Sequence, residues 1–112
     1  MATFPKSERL CGQLTIRQLY SEGSKFTVWP LRVTYRPADR TRVLIWAPKS
    51  QHKHAVERNL LRRRMREAWR LNKHLLGEEH HYELAINYMD KVVLPSDRIS
   101  RAMQTVLAKL NK

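Results

Sequence analysis

The chain is poor in cysteine, glycine and acid. It has one cysteine, three glycines and ten acidic residues among 112. A lone thiol, Cys11, has no partner for an internal disulfide, which fits a reducing compartment and a small core or surface residue. No glycine interrupts the stretch from His54 to Lys73, and none stands in the loop Pro48–His54. No apolar run approaches the roughly 18 residues needed to span a bilayer. The N-terminal segment Met1–Arg9 has no apolar signal core ahead of its charges, so a cytoplasmic protein that is neither secreted nor membrane-bound is expected. The five histidines, at 52, 54, 74, 80 and 81, form no His-x-x-x-His pair with a helper carboxylate, and there is no cysteine pair. No metal site and no cofactor of the protein's own is therefore expected. Ser7 and Ser24 have no base beside them in the pattern, and no two carboxylates stand poised for acid–base work. Nothing predicts a catalytic residue.

What the chain has instead is positive charge. Twenty-two Lys and Arg against ten Asp and Glu give a formal charge of +12. Such a chain repels itself at low salt unless a polyanion shares the load, with nucleic acid the first candidate and an acidic membrane surface the second. A hydrophobic content of 42% marks a globular chain, and the length predicts one domain over 1–112.

The charge is concentrated where helix formers are. Leu, Arg, Met, Ala and Glu dominate the run after His54, and they predict a helix over 55–75. At about 100° per residue, Val56, Leu60, Leu61, Met65, Ala68, Leu71 and Leu75 gather on one broad arc for a core. Arg58, Asn59, Arg62, Arg63, Arg66, Arg70 and Lys73 gather opposite. Solvated faces usually alternate Glu with Lys so that i,i+4 neighbours attract; here Arg58, Arg62, Arg66 and Arg70 form a like-charge ladder. Arg also meets phosphate bidentately where Lys does not. The pattern is that of a polyanion-binding face, with Glu57 and Glu67 as salt-bridge partners.

Around this helix the remaining chain reads in order. Leu14, Ile16, Leu19 and Tyr20 predict a helix over 13–22, stopped at Gly23. Phe26 and Val28, then Leu31, Val33 and Tyr35, alternate as two short strands parted by Pro30. After a turn at Pro37–Arg40, residues 42–48 are almost continuously apolar, as expected of a central strand covered on both faces. Residues 82–89 predict a further strand. A last helix opens near Ser96 as N-cap, with Asp97 in its first turn and Ile99, Met103, Val106, Leu107 and Leu110 as its core stripe. Trp46 and Trp69 are read as core. The order predicts an α+β sandwich, a small sheet with helices against it. A DNA-reading helix-turn-helix fits poorly, because the basic helix follows a strand loop and not a short helix and turn.

The run Ala55-Val56-Glu57-Arg58-Asn59-Leu60-Leu61-Arg62-Arg63-Arg64-Met65-Arg66-Glu67-Ala68 resembles the Arg-Asn-x-x-(Lys/Arg)-Arg-x-x-Arg-(Glu/Gln) signature of the bacterial ribonuclease P protein component. Ser7–Leu10, the Ile16/Tyr20/Gly23 spacing, Leu31–Arg36, Val43–Ala47, Pro48-Lys49 and the last strand and helix extend the resemblance over nearly the whole chain. It implies a two-layer α/β sandwich with a four-stranded sheet and about three helices. The signature helix forms a left-handed β–α–β crossover, a fold also found in a ribosomal protein domain. It implies a subunit of an endoribonuclease that hydrolyses precursor tRNA at the mature 5′ end. Catalysis lies in the ribonuclease P RNA with Mg²⁺, and the protein binds that RNA and the 5′ leader. Residue by residue, it assigns Lys53, Arg58, Asn59, Arg62, Arg63, Arg66 and Arg70 to RNA binding. It places Ile16, Tyr20 and Tyr35 in a leader cleft between sheet and first helix, rimmed by Arg17, Lys49 and Lys53; unpaired bases stack well on rings beside positive charge. Three positions depart from the family. Ile16 replaces a common Phe and cannot stack a base as a ring does. Arg64 replaces an apolar residue and must snorkel outward or meet a carboxylate. The loop 48–54 lacks the family's Gly. The competing reading is a structural RNA-binding protein with no enzymatic context.

Overall fold

The computed structural model describes residues 9–10, 12–48, 53–77 and 79–111. Its elements are α1 (Gln13–Glu22), β1 (Ser24–Val28), β2 (Leu31–Pro37), β3 (Arg42–Trp46), α2 (Ala55–Asn72, continued by a 3₁₀ turn Lys73–Leu75), β4 (Tyr82–Tyr88) and α3 (Ser96–Leu110). The sheet order is β1-β2-β4-β3. β1 and β2 form a tight hairpin through Trp29-Pro30, whose peptide bond is cis. β2 and β4 are antiparallel, and β3 and β4 are parallel with α2 as their crossover. This is the α+β fold expected, with four strands and three helices.

Strand position corrects one expectation. The apolar run 42–48 is an edge strand, and the central strands are β2 and β4. Continuous apolarity reports cover above and below the sheet, not the number of hydrogen-bonded neighbours. Val43, Ile45 and Ala47 are buried in the main core, and Leu44 packs against a second cluster on the opposite face. The outer edge is itself partly occupied, since the Leu10 N–H donates to the Val43 carbonyl at 2.9 Å.

The two faces of the sheet are covered unequally. Leu31 and Val33 of β2 and Leu84, Ile86 and Tyr88 of β4 pack against α2 and α3 in the main core. Leu10, Leu19 and Ala85 form the smaller cluster under α1, with Ile16, Tyr20 and Leu44 at its margin. Gly23 closes α1 with its N–H on the Leu19 carbonyl at 2.8 Å. Its φ of −74° is open to any residue. Space decides it: a Cβ there would lie 2.6 Å from the Leu19 oxygen and 2.9 Å from the Tyr35 oxygen.

α2 is rotated from its expected setting. Its buried residues are Leu61, Met65, Ala68, Trp69 and Asn72. Val56 is 79% exposed, and Leu71 and Leu75 also face out. Trp69 is fully buried and brings more apolar area than either leucine, so it draws the helix round. Asn72 comes with it and is satisfied: it donates to the Ala68 carbonyl at 2.8 Å and to Ser100 Oγ at 3.0 Å, and accepts from Gln104 Nε2 at 3.2 Å. Arg64 snorkels as required, placing Nη1 2.6 Å from the Leu94 carbonyl. On α3 the expected stripe is buried, joined by Ala102. Its N-cap is Pro95 and not Ser96, with no side-chain cap bond; Pro95 already holds an extended ψ of 160° and lends its carbonyl to the Arg98 N–H at 3.1 Å.

Candidate nucleic-acid interface

The outward face of α2 carries the expected cations in its N-terminal half. Arg58 Nη1 donates to the Lys53 carbonyl at 2.9 Å, tying the helix start to the loop before it. Arg62 Nη2 donates to Asn59 Oδ1. Arg63 and Arg66 are exposed and line a shallow groove of about 440 Å³ with Val56, Asn59 and Leu60. No carboxylate pairs with either among the described residues. Arg70 differs, because it forms an ion pair with Glu67 three residues back. Among the described residues, Arg62, Arg63 and Arg66 are therefore the cations of this face without a carboxylate partner, where α2 meets the sheet edge.

The sheet face under α1 has three rows. Strand alternation aligns Arg36, Glu83 and Arg42 in the first. Glu83 is 4% exposed and receives Arg36 Nε at 2.6 Å and Arg42 Nη2 at 2.7 Å; Arg36 also reaches Glu22 at 3.1 Å. The second row is Lys25, Thr34, Ala85 and Leu44, whose centre α1 covers. The third is Thr27, Arg32, Asn87 and Trp46, left open beside Tyr20. Tyr20 donates its hydroxyl to Asn87 Oδ1 at 3.2 Å. Trp46, the register partner of Asn87, is 46% exposed. The Arg62 guanidinium lies 5.9 Å from the Trp46 ring centroid, within cation–π range. Two rings, an amide and a guanidinium thus meet at one end of the cleft.

The expected cleft residues separate. Ile16 and Tyr20 line it, half-buried, and Arg17 is exposed on the same helix. Tyr35 is on the other side of the sheet. It shares a face with Leu31 and Val33, and its ring makes edge contacts with Phe26 and Tyr82, each at 5.6 Å between centroids. A ring so placed is a core-edge aromatic and reaches no ligand above α1. Lys49 and His52 lie outside the described residues. Trp46, read as core, is instead the open ring. Arg32 and Asn87 were also missed, because nothing in a two-residue alternation says which face α1 covers.

No helix among the described residues is long and apolar enough to cross a membrane. Nor do any three or more His, Cys, Asp or Glu among them group as a metal site.

A family model described as Ribonuclease P matches residues 4–111. The chain belongs to that family. Curated relatives agree with the match. The ribonuclease P protein components of two Porphyromonas gingivalis strains are each 41% identical to this chain, over 94% and 97% of it and over 84% and 88% of theirs. Solved structures share the fold. The Staphylococcus aureus RNase P protein superposes with a TM-score of 0.78 at 19% identity, covering 96% of this chain and 100% of that one. The Thermotoga maritima RNase P protein gives 0.79 at 20% identity, covering 94% and 99%. Membership in the ribonuclease P family implies an RNA partner, the ribonuclease P RNA, and disfavours a purely structural RNA-binding role.

Proposed function

We propose that this ribonuclease P protein component uses the N-terminal half of α2 to hold the ribonuclease P RNA and the open row beside α1 to hold the unpaired 5′ leader of precursor tRNA. The observation that carries this reading is the meeting of Arg62 with Trp46. There a phosphate-binding helix face adjoins a stacking ring, so one strand can leave the RNA-bound helix and enter the cleft. Phosphate neutralisation by Arg58, Arg62, Arg63 and Arg66, with Lys53 beside them, supplies affinity. Asn59 orients the Arg62 fork. Trp46 and Tyr20 supply sequence-tolerant stacking, and Ile16 supplies apolar packing at the inner wall.

On this reading the protein positions and the RNA cleaves. Hydrolysis of the phosphodiester at the mature 5′ end is the work of the RNA subunit with Mg²⁺, in the cytoplasm. Three of the protein's ten carboxylates, Glu83, Glu22 and Glu67, are already committed to arginines. Reconstitution tests the proposal. The protein is added to its cognate ribonuclease P RNA at low Mg²⁺ and cleavage of a precursor tRNA is followed. Stimulated cleavage at the mature 5′ end, with none from protein alone, is expected. Folded protein that binds the RNA tightly without stimulating cleavage would return the chain to a structural RNA-binding role.

A further inference from the structure

We infer that the edge of the molecule formed by β1 and α3, across the sheet from the β3 edge and from Arg62, is a second RNA-contacting site that takes an unpaired strand. Trp29, at the tip of the β1–β2 hairpin, is 53% exposed. The hairpin holds it firmly: Pro30 is buried, and its carbonyl accepts the Met89 N–H at 2.8 Å. A ring presented on a fixed turn loses little freedom on binding. Facing it across a groove of about 210 Å³ are Arg98, Arg101 and Thr105 of α3.

The two arginines decide the chemistry. Arg36, Arg42 and Arg70 are each committed to a carboxylate. Arg98 and Arg101 are exposed, and neither has a hydrogen bond or ion pair through its side chain among the described residues. At i and i+3 they stand side by side on the helix. One line of α3 continues from them through Thr105 to Lys109, whose ammonium lies 5.5 Å from the Phe26 ring centroid. From residue 98 to 109 this line runs about 16 Å. Rings on β1 and its turn therefore face cations on α3 along one strip. Planar forks suit phosphate oxygens, and an exposed indole suits a base face, so the strip fits alternating base and phosphate. An acidic peptide would use the cations but leave Trp29 uncovered. The site does not depend on the α2 and cleft reading, because it shares no residue with either.

Tryptophan fluorescence in the full chain tests it. Trp46→Phe leaves Trp29 as the exposed indole, because Trp69 is buried. Arg62→Ala with Arg66→Ala in the same chain weakens the α2 face. Titration with a short unstructured RNA is expected to quench the remaining exposed signal. Read instead by the anisotropy of a dye-labelled RNA, Trp29→Ala is expected to weaken that binding roughly 5- to 150-fold, and Trp29→Phe much less. Arg98→Ser with Arg101→Ser, which leaves the hairpin untouched, is expected to lower the log–log salt slope by about 1.4. RNA binding with no Trp29 quenching, or with a slope unchanged by the double arginine substitution, would overturn the inference. Equal competition by a poly-glutamate peptide of matched length would also overturn it, in favour of an acidic protein partner. Because α2 is already weakened, these outcomes leave the reconstitution result to stand or fall separately.

Discussion

On the side covered by α2 and α3, β4 presents Leu84, Ile86 and Tyr88, none of them accessible to solvent. On the other side the same strand presents Glu83, Ala85 and Asn87, and only the middle of that series lies under α1. One strand therefore serves two environments. On the covered side the polar Asn72 has its bonds met inside the protein, while the buried Trp69 Nε1 has no partner among the described residues. Where the cover stops, Tyr20, Asn87 and Trp46 are linked to one another yet remain open. The closed face carries stability, and the half-open face holds polar and aromatic groups where solvent reaches them.

Substitutions on the two faces separate these roles. Met103→Ala, on the closed face, is expected to cost about 2–5 kcal/mol of stability, read by denaturant unfolding. The RNA affinity of the protein that remains folded should not change, and a parallel fall in affinity would break the division. Next in size is Trp46→Ala. It should weaken precursor tRNA relative to leaderless tRNA by about 1–3 kcal/mol, measured with the assembled holoenzyme. Tyr35→Ala sharpens the contrast, because it should lower stability and leave the precursor-to-mature ratio alone. The reverse pattern would return Tyr35 to the leader site.

The smallest effect at ordinary pH comes from Tyr88. Burial raises its phenol above the usual value of 10.0, against an opposing pull from the Leu94 backbone bond. Its hydroxyl donates to the Val92 carbonyl at 2.6 Å and accepts the Leu94 N–H at 3.0 Å. The folded state thus prefers the neutral phenol. That stability is present in full below pH 10 and is lost as pH rises through the higher folded value. Urea midpoints should hold from pH 8 to 9.5 and fall above 10. Tyr88→Phe should start lower and lose part of the alkaline fall.

The sequence marked the elements well. Residues 13–22 form α1, and the glycine-free stretch forms α2. Their periods are local, and backbone hydrogen bonding enforces them locally. Facing and order were harder to read. α2 had two apolar stripes to choose from, and the choice between Trp69 and Leu71 depends on what α3 and the sheet can accept. β3 looked central because its cover came from helices and not from strands. Tyr35 is more instructive, since its alternation with Leu31 and Val33 already tied it to their side of β2. The resemblance to the family drew it toward the leader cleft, and only the position of α1 shows which side that is. Trp46 had no local signal, because an apolar ring ending an apolar strand reads as core until the helix meant to cover it is seen to stop short.

The trio of Arg36, Glu83 and Arg42, in which only Glu83 is buried, limits what a polyanion meets. Drawing either arginine toward a phosphate would leave the buried Glu83 with one partner in place of two, which opposes the move. Arg36, Arg42 and Arg70 are matched by Glu22, Glu83 and Glu67, so these six charges cancel within the formal +12. The charge a nucleic acid meets is consequently carried by the other Lys and Arg, and its placement is set by where the acids sit as much as by how many bases there are.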